Sequence, residues 1–261
     1  MSLLLELPEL FEAKIIKRPS KKIKSPYVAD IILKNDETQN ELLGHTPSLG
    51  CCGLAEKDSN VLCSKLSEKT KCDYRIEISL VDNTYIGISP KLAENITENA
   101  LKQNLIQHLE VSSIQREKKI LNSRFDFIGK TTDDKHYILE VKTVPLIFKE
   151  DNKNISYFPD GYRKKKGAVV SERALKHINE LREIKTKYPE IRCILLFVIQ
   201  RNDSISFKPS DKDPIYLDAL REAYKYGVEI RTIQVKWQEN KCCYKTNTLP
   251  ILLFEDYNNY L

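Results

Sequence analysis

Asp126, Glu140 and Lys142 are the residues of this chain whose types and spacing could do chemistry. They fall within residues 123–144, SRFDFIGKTTDDKHYILEVKTV, which read as two short strands joined by a polar turn. Apolar side chains alternate through Phe125 and Phe127 and again through Tyr137, Leu139 and Val141, with Thr, Asp and Lys crowded in between. Glu140 and Lys142 are two apart, so both project from one face of their strand, and folding of the hairpin brings Asp126 toward them. Two carboxylates and a lysine at a sheet end are what phosphodiester hydrolysis with a magnesium ion needs. The carboxylates hold a hard cation, the cation polarises the phosphate and acidifies its water, and the ammonium answers charge building on the phosphate. Surface strands also alternate Glu and Lys without any such role. The chemical reading is favoured because residues 138–144 are otherwise largely apolar, and charge on such a strand is costly unless paired or metal-bound.

The flanking sequence predicts the elements that position this hairpin. Leu92, Ile96, Ala100, Leu105 and Leu109 recur at helical spacing after Pro90, which predicts a helix over 91–109. Glu98 and Glu94 lie off its apolar stripe, where either could offer a further metal-facing acid or answer a nearby lysine. Strands at 111–119 and 123–128 follow. Ser171 caps a second helix whose apolar face is Ala174, Leu175, Ile178, Leu181 and Ile184. Residues 191–200, IRCILLFVIQ, are nearly all apolar and predict a central strand buried on both faces. An amphipathic helix over 216–226, with Gly227 beyond it, leads to a closing strand over 228–237. Residues 90–240 thus run α, β, β, β, α, β, α, β, an α/β sandwich with a mixed sheet. Residues 241–261 have no strong period and are expected as a tail packed on either domain.

Residues 1–85 look all-β instead. Strands at 11–17, 27–33, 60–66, 74–80 and 85–88, separated by turn signals, suit a small oligonucleotide/oligosaccharide-binding (OB) barrel. The basic residues Lys17, Arg18, Lys21, Lys22 and Lys24 between the first two strands are either a solvated loop or a rim that tracks phosphates. A second basic run, Arg163, Lys164, Lys165 and Lys166, follows a Phe-Pro-Asp-Gly turn; near a hydrolytic site it would help seat a nucleic-acid backbone, and otherwise it is an ordinary charged loop.

Composition sets wide bounds. The 261 residues hold 42 Lys+Arg against 37 Asp+Glu, a net charge of +5 that permits a polyanionic partner without requiring one. The opening apolar run is cut by Glu6 and lacks the basic start of a signal peptide, and no stretch approaches 18 apolar residues. A cytoplasmic protein with no membrane span is therefore expected, its seven cysteines reduced. Four of those cysteines cluster at 51–72, but without a CxxC pair zinc is disfavoured.

Several stretches, in order, resemble the sugar fermentation stimulation protein family over roughly residues 10–237. They are Gly44-His45-Thr46-Pro47, Ser123-Arg124-Phe125-Asp126-Phe127, Glu140-Val141-Lys142-Thr143-Val144, Phe158-Pro159-Asp160, Arg173 through Leu181, and Ile199-Gln200-Arg201-Asn202-Asp203; Asp213-Pro214-Ile215-Tyr216 and Tyr226-Gly227-Val228-Glu229 follow. The resemblance implies an OB-like nucleic-acid-binding barrel (1–88), a PD-(D/E)XK nuclease-like, restriction-endonuclease-like mixed-sheet domain (89–240) and a C-terminal tail (241–261). It implies metal ligation of Mg²⁺ or Mn²⁺ by Asp126, Glu140 and the Val141 carbonyl, a catalytic Lys142, and a supporting Glu98 and Gln200. It further implies nucleic-acid contacts, most simply to DNA, by Arg18, Lys21, Lys22, His45, Arg124 and Arg163–Lys166, with a homodimer as the assembly to look for. After His45 the chain departs from the family's His-Cys-Pro-Asn-Thr-Gly pattern, reading Thr46-Pro47-Ser48-Leu49-Gly50. Three functions stay open at this level: a metal-dependent DNA endonuclease, a non-catalytic DNA-binding regulator of sugar metabolism built on the nuclease scaffold, and an RNA phosphodiesterase.

Overall fold

In the computed structural model, which describes residues 2–67, 70–160 and 168–254, the N-terminal strands alternate as their sequence dictates. Ala13 and Ile15 are fully buried while Glu12 and Lys14 stand in solvent. After a short β1 (Leu3–Glu6), five strands form a sheet in the order β4-β3-β2-β5-β6. They are β2 (Leu10–Lys17), β3 (Val28–Leu33), β4 (Leu42–His45), β5 (Asn60–Lys65) and β6 (Tyr74–Val81). Parallel pairing of Gly44 and His45 with Tyr74 and Arg75 joins β4 to β6 and closes a five-stranded barrel, the strand order of the OB fold. One barrel strand escaped the sequence reading: β4 is only four residues long and carries a glycine, so it has no alternation to detect. The strand predicted at 85–88 is instead β7 (Thr84–Gly87), a hairpin partner of β6 outside the closure.

α1 (Pro90–Lys102) is shorter than predicted. The chain leaves the helix at Gln103, and Asn104 takes a left-handed φ of 53°. Leu105 and Leu109 still reach the same core, which is why their spacing imitated a longer helix. The remaining elements are β8 (Val111–Ile120), β9 (Ser123–Thr131), β10 (His136–Val144), β11 (Ile147–Glu150), β12 (Lys153–Phe158), α2 (Glu172–Lys187), β13 (Arg192–Ile199), β14 (Ser206–Pro209), α3 (Pro214–Lys225), β15 (Glu229–Gln238) and β16 (Lys241–Thr246). Ser171 caps α2 by accepting from Ala174 N at 3.2 Å, and Asp213 caps α3 from Tyr216 N at 3.3 Å.

Seven strands make one mixed sheet in the order β1-β16-β15-β13-β10-β9-β8, with β13 parallel to both β10 and β15. Two corrections follow. Residues 241–246, expected within an appended tail, form a strand of this sheet, and β15 is therefore not the closing strand. β16 reads KCCYKT, too short and mixed to signal itself, and it is held by pairing with β15 and with the distant β1. A separate small sheet, β11-β12-β14, lies beside the main one.

The main sheet separates two cores. α1 packs with Leu139, Val141, Leu196 and Trp237 on one face, joined by Leu62 and Ile78 of the barrel. α2 and α3 pack with Ile138, Leu195, Phe197 and Ile199 on the other. The run α1-β8-β9-β10-α2-β13 is the αβββαβ core of the PD-(D/E)XK, restriction-endonuclease-like fold, set behind an OB-like barrel. Among the described residues, no helix is long and apolar enough to cross a membrane.

Candidate functional site

β9 and β10 leave their turn paired, with Lys130, Gly129, Ile128 and Phe127 opposite His136, Tyr137, Ile138 and Leu139. The pairing stops there. Phe127 belongs to the α1 core and Phe125 to the α2 core, although residues two apart on a strand normally share a face. β9 therefore turns sharply through Asp126. On β8, between the residues paired with Phe125 and Phe127, Glu117 sits at a φ of 53°, a conformation rare for a non-glycine residue. The strands part at this kink, and Asp126 Oδ2 accepts a hydrogen bond from Val141 N at 2.8 Å across the gap.

Glu140 and Lys142 lie in register with Leu195 and Phe197, which places both on the α2 face. Glu140 is 2% exposed. Its Oε1 accepts from Lys142 Nζ at 2.5 Å and lies against Nδ1 of the buried His177. Its Oε2 is buried with no hydrogen-bond partner among the described residues, as is the phenol oxygen of Tyr216. That phenol is fully buried and lies within the field of Glu140; burial first, then that charge, raises its pKa.

The two carboxylates are driven apart in acidity. Burial, then the charge of Glu140, pushes Asp126 up to about 7, against the downward pull of the Val141 N–H and Lys142. Burial also pushes Glu140 upward, but Lys142 and His177 outweigh it and hold the group below its ordinary value. A buried carboxylate oxygen with nothing to bind, beside a second carboxylate reluctant to ionise, fits a pocket that a cation completes. No group of three or more His, Cys, Asp or Glu side chains able to hold a metal occurs among the described residues. Ligands beyond the two acids would thus be backbone oxygen, such as Val141 carbonyl, or solvent and substrate oxygens.

The other predicted residues divide. Glu98 is tied to Lys102 at 2.7 Å and to Arg116 at 2.5 Å, and these partners hold its pKa below the ordinary value despite partial burial. Glu94, one turn earlier, binds Lys91 and the other end of Arg116, yet its charge is the helix acid that Asp126 feels. Gln200 is a correction. Ile199 packs in the α2 core, so the next side chain points to the opposite face, where Gln200 Oε1 accepts from Trp237 Nε1 at 3.1 Å. It does not join Asp126, Glu140 and Lys142.

Arg18 is a second correction. Its guanidinium donates to the carbonyls of Pro26, Ser48 and Ala55 and is 3% exposed, so it ties barrel loops together and offers no edge to a phosphate. Lys21 and Lys22 are exposed and reach Glu41. His45 is half-buried on β4 with Nδ1 unpartnered; burial, then Arg75, lowers its pKa. Arg124 is exposed and paired with Glu117 at 3.0 Å. Arg163, Lys164, Lys165 and Lys166 lie outside the described residues.

Sequence reasoning missed His177 and Arg116 as contributors to this site. The signal for His177 was present: a polar ring among Ala174, Ile178, Leu181 and Ile184 on the buried stripe of α2. Nothing local marked Arg116, which stacks over Phe127 at 5.4 Å and gathers the helix acids from a strand apart.

Comparison with known proteins agrees with this fold. A family model described as "Sugar fermentation stimulation protein RE domain" matches residues 91–241. A sugar fermentation stimulation protein homolog of Clostridium novyi is 32% identical over 232 residues, covering 87% of this chain and 90% of that protein. One from Crocosphaera subtropica is 33% identical over 225 residues, covering 83% and 85%. Among solved structures, that of Pyrococcus furiosus SfsA in complex with Ca²⁺ superposes with a TM-score of 0.77 at 19% identity, covering 96% of this chain and 99% of that one.

Proposed function

The chain belongs to the sugar fermentation stimulation protein family, and from that premise we propose that it is a DNA-binding protein that hydrolyses phosphodiester bonds with the help of a divalent cation, Mg²⁺ or Mn²⁺. The observation that carries this reading is Glu140 Oε2, buried and without a hydrogen-bond partner among the described residues, beside Asp126, whose carboxyl is pushed up to about 7. Asp126 and Glu140 would hold the ion, with the Val141 carbonyl as a third ligand. When bound, such an ion supplies polarisation of a phosphoryl oxygen and a more acidic water. The Ca²⁺ complex of the Pyrococcus protein supports a divalent ion as the class of ligand.

The chain's own residues have distinct parts in this reading. The Val141 N–H fixes the Asp126 carboxylate at 2.8 Å, so that group does not swing with the parted strand. Lys142 and His177 both engage Oε1 of Glu140, which leaves Oε2 for the ion. Lys142 is 11% exposed at its side chain, so its ammonium can turn from Glu140 to a phosphate oxygen and stabilise the charge that builds during in-line attack. Arg116, paired with both helix acids, offsets part of the negative charge that Glu94 adds near Asp126.

A second reading, a DNA-binding scaffold without catalysis, draws on one observation: Glu94 and Glu98, the acids of the neighbouring helix, are both engaged by Arg116. One experiment separates the two. Supercoiled, linear and single-stranded DNA are incubated with Mg²⁺ or Mn²⁺ and wild-type, Glu140→Gln or Lys142→Ala protein. Hydrolysis by the wild type, reduced at least about 100-fold in each variant, supports the enzyme. Retarded DNA without hydrolysis, identical in all three, supports the scaffold.

A further inference from the structure

The barrel rim expected to track phosphates loses Arg18 to its own loops, and a different surface carries exposed positive charge beside the carboxylates. On β8, Lys118 and Lys119 are exposed, and neither has an ion pair or hydrogen bond among the described residues. They lie opposite Phe125 and Arg124 of β9, next to Asp126 in the ladder. At ~3.3 Å per residue along a strand, these cations stand within one or two nucleotide spacings of the carboxylate pocket. Arg124, paired with Glu117 at 3.0 Å, is 66% exposed on the same ribbon. α2 extends the patch: Lys176 Nζ donates to the carbonyl of Asn122 at the hairpin tip at 2.7 Å and lies 3.8 Å from Glu180, and Arg173, exposed one turn earlier, has no partner among the described residues.

The tip itself breaks two local rules in one residue. Leu121 takes a φ of 54°, where glycine or asparagine is favoured, and leaves a large apolar side chain 42% exposed. The two-residue turn uses that φ, but it does not call for a large exposed apolar side chain.

We propose that the β8–β9 ribbon is the element that grips duplex DNA. Lys119 and Arg124 on one face of the ribbon, and Lys118 with Arg173 and Lys176 of α2 on the other, hold the sugar-phosphate backbones, and Leu121 rests against the groove floor or a sugar edge. A two-stranded ribbon is of a width that a DNA major groove admits, and the grip would hold a backbone phosphate over Asp126 and Glu140. The inference rests on the DNA-binding reading above and names the surface that performs it.

Binding of a fluorescent duplex oligonucleotide, followed by anisotropy with Ca²⁺ as the divalent ion across a salt series, tests it. Lys118→Gln/Lys119→Gln is expected to weaken duplex binding at least about tenfold near physiological salt and to flatten the log–log salt dependence by about two units. The charge-matched Lys187→Gln/Lys225→Gln, at the far ends of α2 and α3, is expected to leave both unchanged. Leu121→Gly, which suits the backbone at that position, should weaken duplex binding more than single-strand binding without lowering thermal stability. Duplex binding by the Lys118/Lys119 variant with wild-type affinity and salt dependence overturns the ribbon as the grip, while DNA binding as such stands. Failure of the wild type to bind any DNA at low salt overturns both readings.

Discussion

Glu140 keeps its charge in a place where burial alone would remove it, because Lys142 and His177 both converge on one of its oxygens. Asp126 has no such partner pair. Only the Val141 N–H and the field of Lys142 favour its ionised form, and burial beside Glu140 wins. The sign of the consequence is fixed. A carboxyl whose folded pKa lies near 7, above its ordinary 3.8, destabilises the fold once it must ionise. The penalty is absent below about pH 4, grows toward pH 7 and is full above it. Asp126→Asn keeps an oxygen for the Val141 N–H and removes the penalty. Without divalent ions, the variant should be more stable than wild type at pH 8 by about 1–2 kcal/mol, a few degrees in Tm, with the difference vanishing near pH 4. Thermal melts at the two pH values in chelator check this; equal or lower stability of the variant at pH 8 would contradict the burial account.

Most of the hairpin was legible as a pattern, because alternation in β9 and β10 and the Glu-x-Lys spacing need no tertiary information. The part that was not legible is where the pattern meets neighbours. Nothing in the sequence at Asp126 announces that β9 turns there, since the cause lies on β8 at Glu117. The order of the strand ladder and the strand made from Lys241–Thr246 are likewise settled by partners distant in sequence. Gln200 was misplaced for a related reason: its face depends on the register of β13 against β10. The kink has its own prediction. Val is a better strand former than Gly in ordinary positions, but a β-branched residue at a φ of 53° is strained. Glu117→Val should therefore be less stable than Glu117→Gly by about 1–2 kcal/mol. Both variants lose the same exposed pairs with Arg124 and Lys91, worth little in themselves. Denaturant unfolding of the two variants reads the order directly, and Val above Gly would mean that no bend is held at Glu117.

At the scale of the whole molecule, the barrel and the mixed sheet meet through one tight seam. Gly87 at the end of β7 donates its N–H to the Gln200 carbonyl at 3.2 Å, and a Cβ there would come 2.3 Å from Gln200 Oε1 and 2.8 Å from Trp237 Nε1. Leu62 and Ile78 of the barrel continue into the α1 core. Glu140 and Lys142 lie on the other face of that sheet, so the barrel braces from behind the strand that carries them. Metal-assisted hydrolysis by these residues requires that Asp126 and Glu140 take up a cation. Mn²⁺ titration of the full chain, followed by calorimetry or by the loss of free-ion electron paramagnetic resonance signal, measures this without reference to any substrate. Wild type should bind one ion tightly at pH 7.5, and Asp126→Asn and Glu140→Gln should each weaken that site by at least about tenfold. Equal Mn²⁺ uptake by all three proteins would contradict it.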